Sequence, residues 1–234
     1  MKSLVFFSLL YTNCFCSFLE YNSEYARNYF DYAAAVYSKD VMQCLSNTVS
    51  TTNLLMLHHE EFVCMSDKSN CKVLAVSSVQ DKIIHISVKG PNEIDKIDKD
   101  FLRKIRGTVE FLDFGLIDHH FSTAHQCTWK IIKNILKSEN TSGYDIVFSG
   151  HSTGGALATL AALQAYRIGV PSYLIHLYTY GEPRIGNILF ANNVDRLFAD
   201  SWRIVNARDV VPHLASCRDD DMDIKFGKDC AESS

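Results

Sequence analysis

The fold is decided by the stretch YDIVFSGHSTGGALA, residues 144–158. A short β-branched and aromatic run, Ile146 to Phe148, leads into the pentapeptide Gly-His-Ser-Thr-Gly, and an alanine- and leucine-rich helical segment follows to about Tyr166. A strand, a tight turn centred on a serine and a helix, in that order, are typical of a nucleophile elbow. The sequence therefore predicts that Ser152 stands clear at the tip of a β-strand.

The predicted turn needs small residues around its serine, because the serine adopts a strained backbone conformation. Gly150, Gly154 and Gly155 supply them. The hydroxyl of Ser152 is expected above the positive end of the following helix. There the amide of Thr153 would face a negatively charged oxygen formed on a substrate. The alternative interpretation is a glycine turn with a merely polar serine.

Composition limits what this element can belong to. The chain has 234 residues, of which 47% are hydrophobic and four are proline, and its formal net charge is −4. This length suffices for one sizeable core and is short for two, so we expect a single domain over residues 18–234. The acidic balance and the lack of any basic cluster argue against a nucleic-acid partner.

The first 17 residues have the pattern of a secretory signal peptide. Lys2 provides the charged start, residues 4–10 are largely apolar, and a plausible cleavage point lies near Ser17. The apolar run is too short to cross a bilayer, and no other run approaches about 18 apolar residues. We therefore expect a secreted, extracellular protein without a transmembrane segment.

Six cysteines remain after the signal peptide, at positions 44, 64, 71, 127, 217 and 230. An even number of cysteines in an exported chain predicts disulfides, and six cysteines allow fifteen full pairings that sequence cannot separate. The favoured local pairs are Cys64 with Cys71 and Cys217 with Cys230. A glycosylation acceptor begins at Asn140 and is consistent with export.

Strand-like and helix-like segments alternate from residue 72 onward. The predicted strands cover residues 72–78 and 83–88, which form a hairpin, and residues 146–148, 173–180 and 202–206. Apolar residues at helical spacing predict helices at residues 25–37, 121–138 and 188–197. This alternation predicts an α/β fold with a mostly parallel central sheet and helices on both faces. Residues 92–102 would form a small amphipathic helix, either a lid over an apolar site or a surface helix.

A serine hydroxyl needs a base to become a nucleophile, and the base needs an acid to hold its orientation. In a sheet of this kind, the acid and then the histidine follow the serine along the chain. Asp209 fits the acid because it comes just after the predicted strand at residues 202–206. Among the nine histidines, His213 alone follows Asp209, which makes it the candidate base.

Three motifs together resemble one family. They are GHSTGGA at residues 150–156, GEPRIGN at residues 181–187 and NARDVVPH at residues 206–213. Their order is similar to that of the class 3 lipases, the secreted fungal-type triacylglycerol lipases. The resemblance implies an α/β-hydrolase fold and ester hydrolysis through an acyl-enzyme on Ser152, with Asp209 as the acid. It also implies no metal or other cofactor, and action on a lipid or ester substrate at a lipid–water interface.

The sequence departs from this family at the base. Relatives carry the catalytic histidine on a loop well beyond the aspartate, and they have another histidine at the position of His213. Only 25 residues follow Asp209 here, and His213 is the one histidine among them. The piece that bears the base is therefore expected to be deleted near the C-terminus, between Cys217 and Cys230. Three interpretations stay open: an active lipase, a catalytically impaired lipid-binding homologue, and an incomplete gene model.

The second departure concerns the oxyanion site. Relatives have Arg-Gly-Ser or Arg-Gly-Thr after the hairpin, and the matching turn here is Lys89-Gly90-Pro91. Pro91 has neither an amide hydrogen nor a hydroxyl, so the donor at this family position is lost. A literal Arg-Gly-Thr begins at Arg106 but does not follow the hairpin, and we rank it second. The loss of one oxyanion donor typically costs about 100- to 1,000-fold in turnover.

Two polar clusters could be drawn as metal sites. They are His-His-Glu-Glu at residues 58–61 and Asp-His-His at residues 118–120. Neither has helical ligand spacing with a third partner, so both are interpreted as solvated polar stretches and no metal is expected.

Overall fold

The computed structural model describes residues 20–51, 53–91, 107–138 and 143–213. The strands in this part of the chain are β1 Leu54–Val63, β2 Asn70–Ser78, β3 Ile83–Lys89, β4 Thr108–Glu110, β5 Leu116–Asp118, β6 Asp145–His151, β7 Ile175–Tyr180 and β8 Ser201–Ile204. The α-helices are α1 Ser23–Ala35, α2 Val41–Thr48, α3 His119–Ser138, α4 Thr153–Arg167 and α5 Ile188–Leu197. Short 3₁₀ turns cover Ser172–Leu174 and Val211–His213.

Several predicted features lie outside the described residues. They are the signal peptide at residues 1–17, the amphipathic helix at residues 92–102, Arg106, the glycosylation acceptor at Asn140, and the deletion between Cys217 and Cys230 together with that cysteine pair. None of the described helices is both long enough and apolar enough to span a membrane.

Among the described strands, six form the main sheet in the order β1-β2-β3-β6-β7-β8, while β4 and β5 form a separate pair. β2 runs antiparallel to both of its neighbours, β1 and β3, whereas β3, β6, β7 and β8 are parallel. In this register Lys89 lies opposite His151, and His151 lies opposite Tyr180. The carboxyl ends of β3, β6 and β7 therefore meet at one edge of the sheet.

Helices cover both faces of this sheet. On one face, α4 is buried almost throughout and packs with α3 in the largest hydrophobic cluster, which includes Phe121, Ile132 and Phe148. On the other face, α1 and α2 pack against β2 through residues such as Tyr32 and Leu45. This arrangement confirms the predicted α/β-hydrolase architecture with helices on both sides of the sheet.

The hairpin of β2 and β3 is confirmed, but the strand before it was not predicted. Within the described structure β1 lies at the edge of the sheet and pairs with β2 alone, and its register shifts between Met56 and His58. A one-residue irregularity breaks the period of two that marks a strand in sequence.

The polar clusters at residues 58–61 and 118–120 belong to regular elements. In β1, the Nε2 atom of His58 lies 3.3 Å from a carboxylate oxygen of Glu60. Asp118 ends β5, and its carboxylate accepts a hydrogen bond from the amide of His120 at 2.7 Å. Within the described ranges, no three His, Cys, Asp or Glu side chains are grouped to hold a metal ion.

The predicted bond between Cys64 and Cys71 is present, with an S–S distance of 2.02 Å and a Cα–Cα distance of 5.6 Å. It links the end of β1 to the start of β2 across the connecting turn. Cys44 and Cys127 form no disulfide with another described cysteine.

A charged cluster joins the amino ends of β6, β7 and β8. The Nδ1 atom of His176 lies 2.6 Å from Asp200, and its Nε2 atom lies 3.2 Å from Asp145. Asp200 also accepts hydrogen bonds from the Tyr178 hydroxyl and the Trp202 indole. Burial disfavours the charged imidazole, but the hydrogen bonds to Asp200 and Asp145 outweigh it and raise the pKa of His176. Burial opposes the charge of Asp200 as well, yet its hydrogen bonds lower the pKa of that carboxyl.

His176→Gln is expected to reduce the free energy of unfolding by about 1.5–3 kcal/mol at pH 5.5, the usual value for hydrogen bonds to charged groups. The folded pKa of His176 exceeds the unfolded value of about 6.5, so this stabilisation is complete below that pH and is lost as the pH rises through the folded pKa. Urea unfolding of both proteins at pH 5.5 and pH 9 measures the change. An equal difference at the two pH values would show that His176 is not charged in the folded state.

Candidate active site

The turn at Ser152 joins β6 to α4. Ser152 has φ 56° and ψ −126°, a conformation that costs free energy in a residue with a side chain. Its amide donates to the Tyr180 carbonyl at 2.8 Å, and its carbonyl accepts from the Gly155 amide at 2.9 Å. The turn is thus fixed both to the end of β7 and to the first turn of α4.

The side chain of Ser152 is only 5% exposed. The sequence predicted a hydroxyl standing clear at the strand tip, and in this respect the structure differs, since the Oγ atom is buried. Within the described part of the chain this atom also has no hydrogen-bond partner. A buried hydroxyl without a partner is uncommon and calls for an explanation, of which a catalytic role is one.

Glycines bring the surrounding backbones into contact. A Cβ atom built on Gly150 would lie 2.3 Å from the Gly154 carbonyl oxygen, and one built on Gly154 would lie 2.1 Å from the Val88 carbonyl oxygen. At Gly90 it would lie 2.6 Å from the Cβ atom of Thr153. The Lys89-Gly90-Pro91 turn therefore rests against the start of α4.

The second glycine turn considered for the oxyanion site lies elsewhere. For Gly107, the nearest neighbour of a built Cβ atom is the Cβ atom of His119, at 3.8 Å. Gly107 also accepts the His119 amide at 2.7 Å, so it belongs to the start of α3. Of the two turns, that of Gly90 contacts the elbow.

The carboxylate of Asp209 lies at the same edge of the sheet. One of its oxygens is 2.7 Å from the position of a Cβ atom built on Gly181, the residue that follows β7. Gly181 has φ +58°, and its amide donates to the Ile204 carbonyl at 2.9 Å. The structure thus places the loop after β8 beside the end of β7, which itself binds the amide of Ser152.

A family model described as "Lipase (class 3)" matches residues 85–219, which include both Ser152 and Asp209. The chain belongs to the class 3 lipase family.

Curated relatives agree with this assignment. The Caenorhabditis elegans protein named "Lipase ZK262.3" is 32% identical over 200 residues, which are 85% of this chain and 57% of that protein. The Rhizomucor miehei lipase is 47% identical over 73 residues, or 30% of this chain and 20% of the relative. A Fusarium solani protein named "Secreted mono- and diacylglycerol lipase 1" is 44% identical over 71 residues, again 30% and 20%. The chain thus spans little more than half the length of the nematode relative and about a fifth of the two fungal relatives.

Solved structures share the fold. A lipase from Rhizopus microsporus var. chinensis superposes with a TM-score of 0.68 at 22% identity, covering 82% of this chain and 68% of that one. The Rhizomucor miehei triacylglyceride lipase gives a TM-score of 0.68 at 22% identity, covering 82% and 74%.

The candidate base, His213, is exposed at the end of the 3₁₀ turn Val211–His213. Its amide donates to Val210 at 3.0 Å, and no described hydrogen bond or ion pair joins its ring to Asp209. The imidazole that shares the space around Gly181 with Asp209 is that of His151, whose Nε2 atom lies 3.7 Å from the built Cβ position. No sequence pattern indicated this placement, which follows from the register of β6 and β7.

Glu182 is a buried carboxyl residue that lies next to the elbow, and the sequence predicted no role for it. Glu182 is 5% exposed, and its two oxygens accept hydrogen bonds from Thr159 at 2.7 Å and Thr179 at 2.5 Å. Burial raises the pKa of this carboxyl. A Cβ atom built on Gly155 would lie 3.2 Å from the Cβ atom of Glu182, so the first turn of α4 packs closely against this residue.

Gly154→Ala is expected to lower the free energy of unfolding by at least about 2 kcal/mol, because the new methyl would overlap the Val88 carbonyl and force β3 and α4 apart. Gly107→Ala is the matched control. Its methyl would meet His119 at an ordinary contact distance, so the change should stay within about 0.5 kcal/mol. Urea denaturation measures both, and equal losses for the two variants would contradict the close approach of β3 and α4.

Proposed function

We propose that the chain is a secreted serine hydrolase that cleaves carboxylic esters of lipids, in the manner of a triacylglycerol lipase. The observation that carries the proposal is the Ser152 hydroxyl, which has no hydrogen-bond partner among the described residues, sits on a strained turn and lies at the amino end of α4. Asp209, on the loop beside the neighbouring strand, supports the same assignment.

In the proposed reaction, the Ser152 Oγ atom attacks the ester carbonyl carbon and its proton passes to a base. The carbonyl oxygen becomes negative and is stabilised by the Thr153 amide at the amino end of α4. The alcohol leaves with a proton, and a water molecule then releases the carboxylic acid from Ser152. Asp209 would orient the base and stabilise its charged form.

The burial of Ser152 bears on how a substrate reaches it. A side chain that is 5% exposed must be uncovered before an ester carbonyl can approach. We therefore expect esters presented as a dispersed lipid phase to react faster than the same esters in solution, because apolar surface uncovered around the serine is stabilised at a lipid surface.

Glyceride esters are the proposed substrates, since a relative is named a mono- and diacylglycerol lipase. Export is supported by the disulfide between Cys64 and Cys71 and by the same relative's description as secreted.

Two features favour a second candidate function, that of a lipid-binding homologue with impaired turnover. Among the described residues, no hydrogen bond or ion pair joins the ring of His213 to Asp209, and Pro91 has no amide hydrogen or hydroxyl to donate at the turn beside α4. The loss of a triad member leaves only roughly 1,000- to 10,000-fold catalysis over water.

The test compares hydrolysis of a dispersed triacylglycerol by the full chain with hydrolysis by Ser152→Ala and Asp209→Asn. Ser152→Ala should lose at least about 1,000-fold, and Asp209→Asn should lose a large part of the rate, because the first removes the nucleophile and the second the acid. Titration of released fatty acid measures the rates, and Asp113→Asn, at a surface ion pair with Arg167, is the control that should leave them unchanged.

Flotation with lipid vesicles separates the two candidate functions. A wild type that hydrolyses no faster than Ser152→Ala, while both proteins float with the vesicles, would contradict the hydrolase and favour the lipid-binding homologue.

A further inference from the structure

Arg203 joins two segments that approach the elbow from different parts of the chain. Its Nε and Nη2 atoms donate to the Glu182 carbonyl at 3.0 and 2.5 Å, and Nη2 also donates to the Pro212 carbonyl at 2.7 Å. Glu182 follows Gly181 at the end of β7. Pro212 lies three residues beyond Asp209. One planar guanidinium therefore links the end of β7 to the loop that carries the acid.

The other hydrogen bonds of this loop are local. The Asp209 amide donates to Asn206, the Val211 amide to the Asp209 carboxylate at 3.0 Å, and the His213 amide to Val210. These bonds shape the loop at residues 205–213 but do not fix it to another segment. Among the described residues, the bond to Pro212 is the hydrogen bond that does so.

Glu182, whose carbonyl binds Arg203, is itself held in place by hydrogen bonds. The carboxylate of Glu182 is bound by Thr159 of α4 and Thr179 of β7, and the side chain is buried. The Glu182 carbonyl thus has a defined position relative to the helix that begins at Ser152. Because the guanidinium of Arg203 binds both this carbonyl and that of Pro212, it fixes the loop of Asp209 relative to the same helix.

We propose that Arg203 is the positioning residue that holds the Asp209 carboxylate beside the end of β7. This inference rests on the proposed role of Asp209 in ester hydrolysis. The fork of a guanidinium suits two carbonyls at once, whereas the ammonium of a lysine is a point charge on a flexible stem. Arg203→Lys should therefore behave much like a truncation.

A cavity next to Arg203 allows the proposal to be tested by chemical rescue of a truncated variant. Arg203 lines a cavity of about 230 Å³ between β7, β8 and α5, together with residues such as Phe190 and Trp202. Truncation to alanine enlarges this space beside the two carbonyls. A free guanidinium ion carries the same planar donors and can occupy the place of the side chain.

The experiment measures amide hydrogen exchange of the full chain with and without guanidinium chloride at millimolar concentration, below the denaturing range. In Arg203→Ala, the amides of Asp209 and Val211 should exchange on the order of 10-fold faster, because the loop loses its attachment. Guanidinium should slow them again. Hydrolysis of a lipid ester should fall on the order of 10- to 100-fold and recover with the ion.

Arg196→Ala is the matched control, since the Nη2 atom of Arg196 donates to Asn193 at 2.7 Å on α5 and no described hydrogen bond joins Arg196 to the loop. Neither exchange at Asp209 nor hydrolysis should change in this variant, with or without guanidinium. Arg203→Gln keeps part of the side chain, and it replaces Arg203→Ala if the latter does not fold.

The positioning role would be overturned if the amides of Asp209 and Val211 in Arg203→Ala exchanged at the wild-type rate. It would also be overturned if they exchanged faster and guanidinium did not slow them. The exchange measurement does not require turnover. If the wild type hydrolysed the ester no faster than Ser152→Ala, but exchange in the loop still rose in Arg203→Ala and fell again with guanidinium, the hydrolase would be refuted. The attachment of the loop by Arg203 would still stand.

Discussion

The contact of bare backbone between β3, β6 and α4 is the constraint on which the candidate site depends. Gly150, Gly154 and Gly90 leave no room for a Cβ atom, so the helix starts directly above the strand tips. This closeness forces the turn at Ser152 into a strained conformation, because the chain must reverse within one residue. It also places the amino end of α4, which carries a partial positive charge, next to the serine.

The polar groups around the elbow differ in whether they have hydrogen-bond partners. Glu182 is buried, but its carboxylate accepts hydrogen bonds from two threonine hydroxyls, and the Nε and Nη2 atoms of Arg203 donate to two carbonyls. Such pairing removes most of the penalty of burial and makes the support rigid. Ser152 is the exception at this edge of the sheet, since its hydroxyl is buried without a partner in the described structure. A rigid, satisfied frame around one unsatisfied hydroxyl is the arrangement expected of a preorganised nucleophile.

The sequence predicted the features that depend on local pattern. The strand, turn and helix around Ser152, the hairpin before it and the pair of Cys64 with Cys71 each leave a short-range signature in spacing or residue type. β1 escaped prediction because its register shift breaks the alternation. The burial of Ser152, the place of His151 near Asp209 and the bridge made by Arg203 all depend on packing between distant segments. Arg203 binds the backbone carbonyls of residues that lie 21 and 9 positions away. Because every residue has a backbone carbonyl, no residue type in the sequence marks such a partner.

The most direct measurement of the nucleophile is covalent labelling of the full chain with a fluorophosphonate, followed by mass spectrometry of its peptides. An adduct on Ser152 that forms in the presence of dispersed lipid, and is absent from Ser152→Ala, is the predicted result. An adduct on another serine, or no adduct on Ser152 beyond the level of that variant, would contradict the assignment of Ser152 as the reactive group.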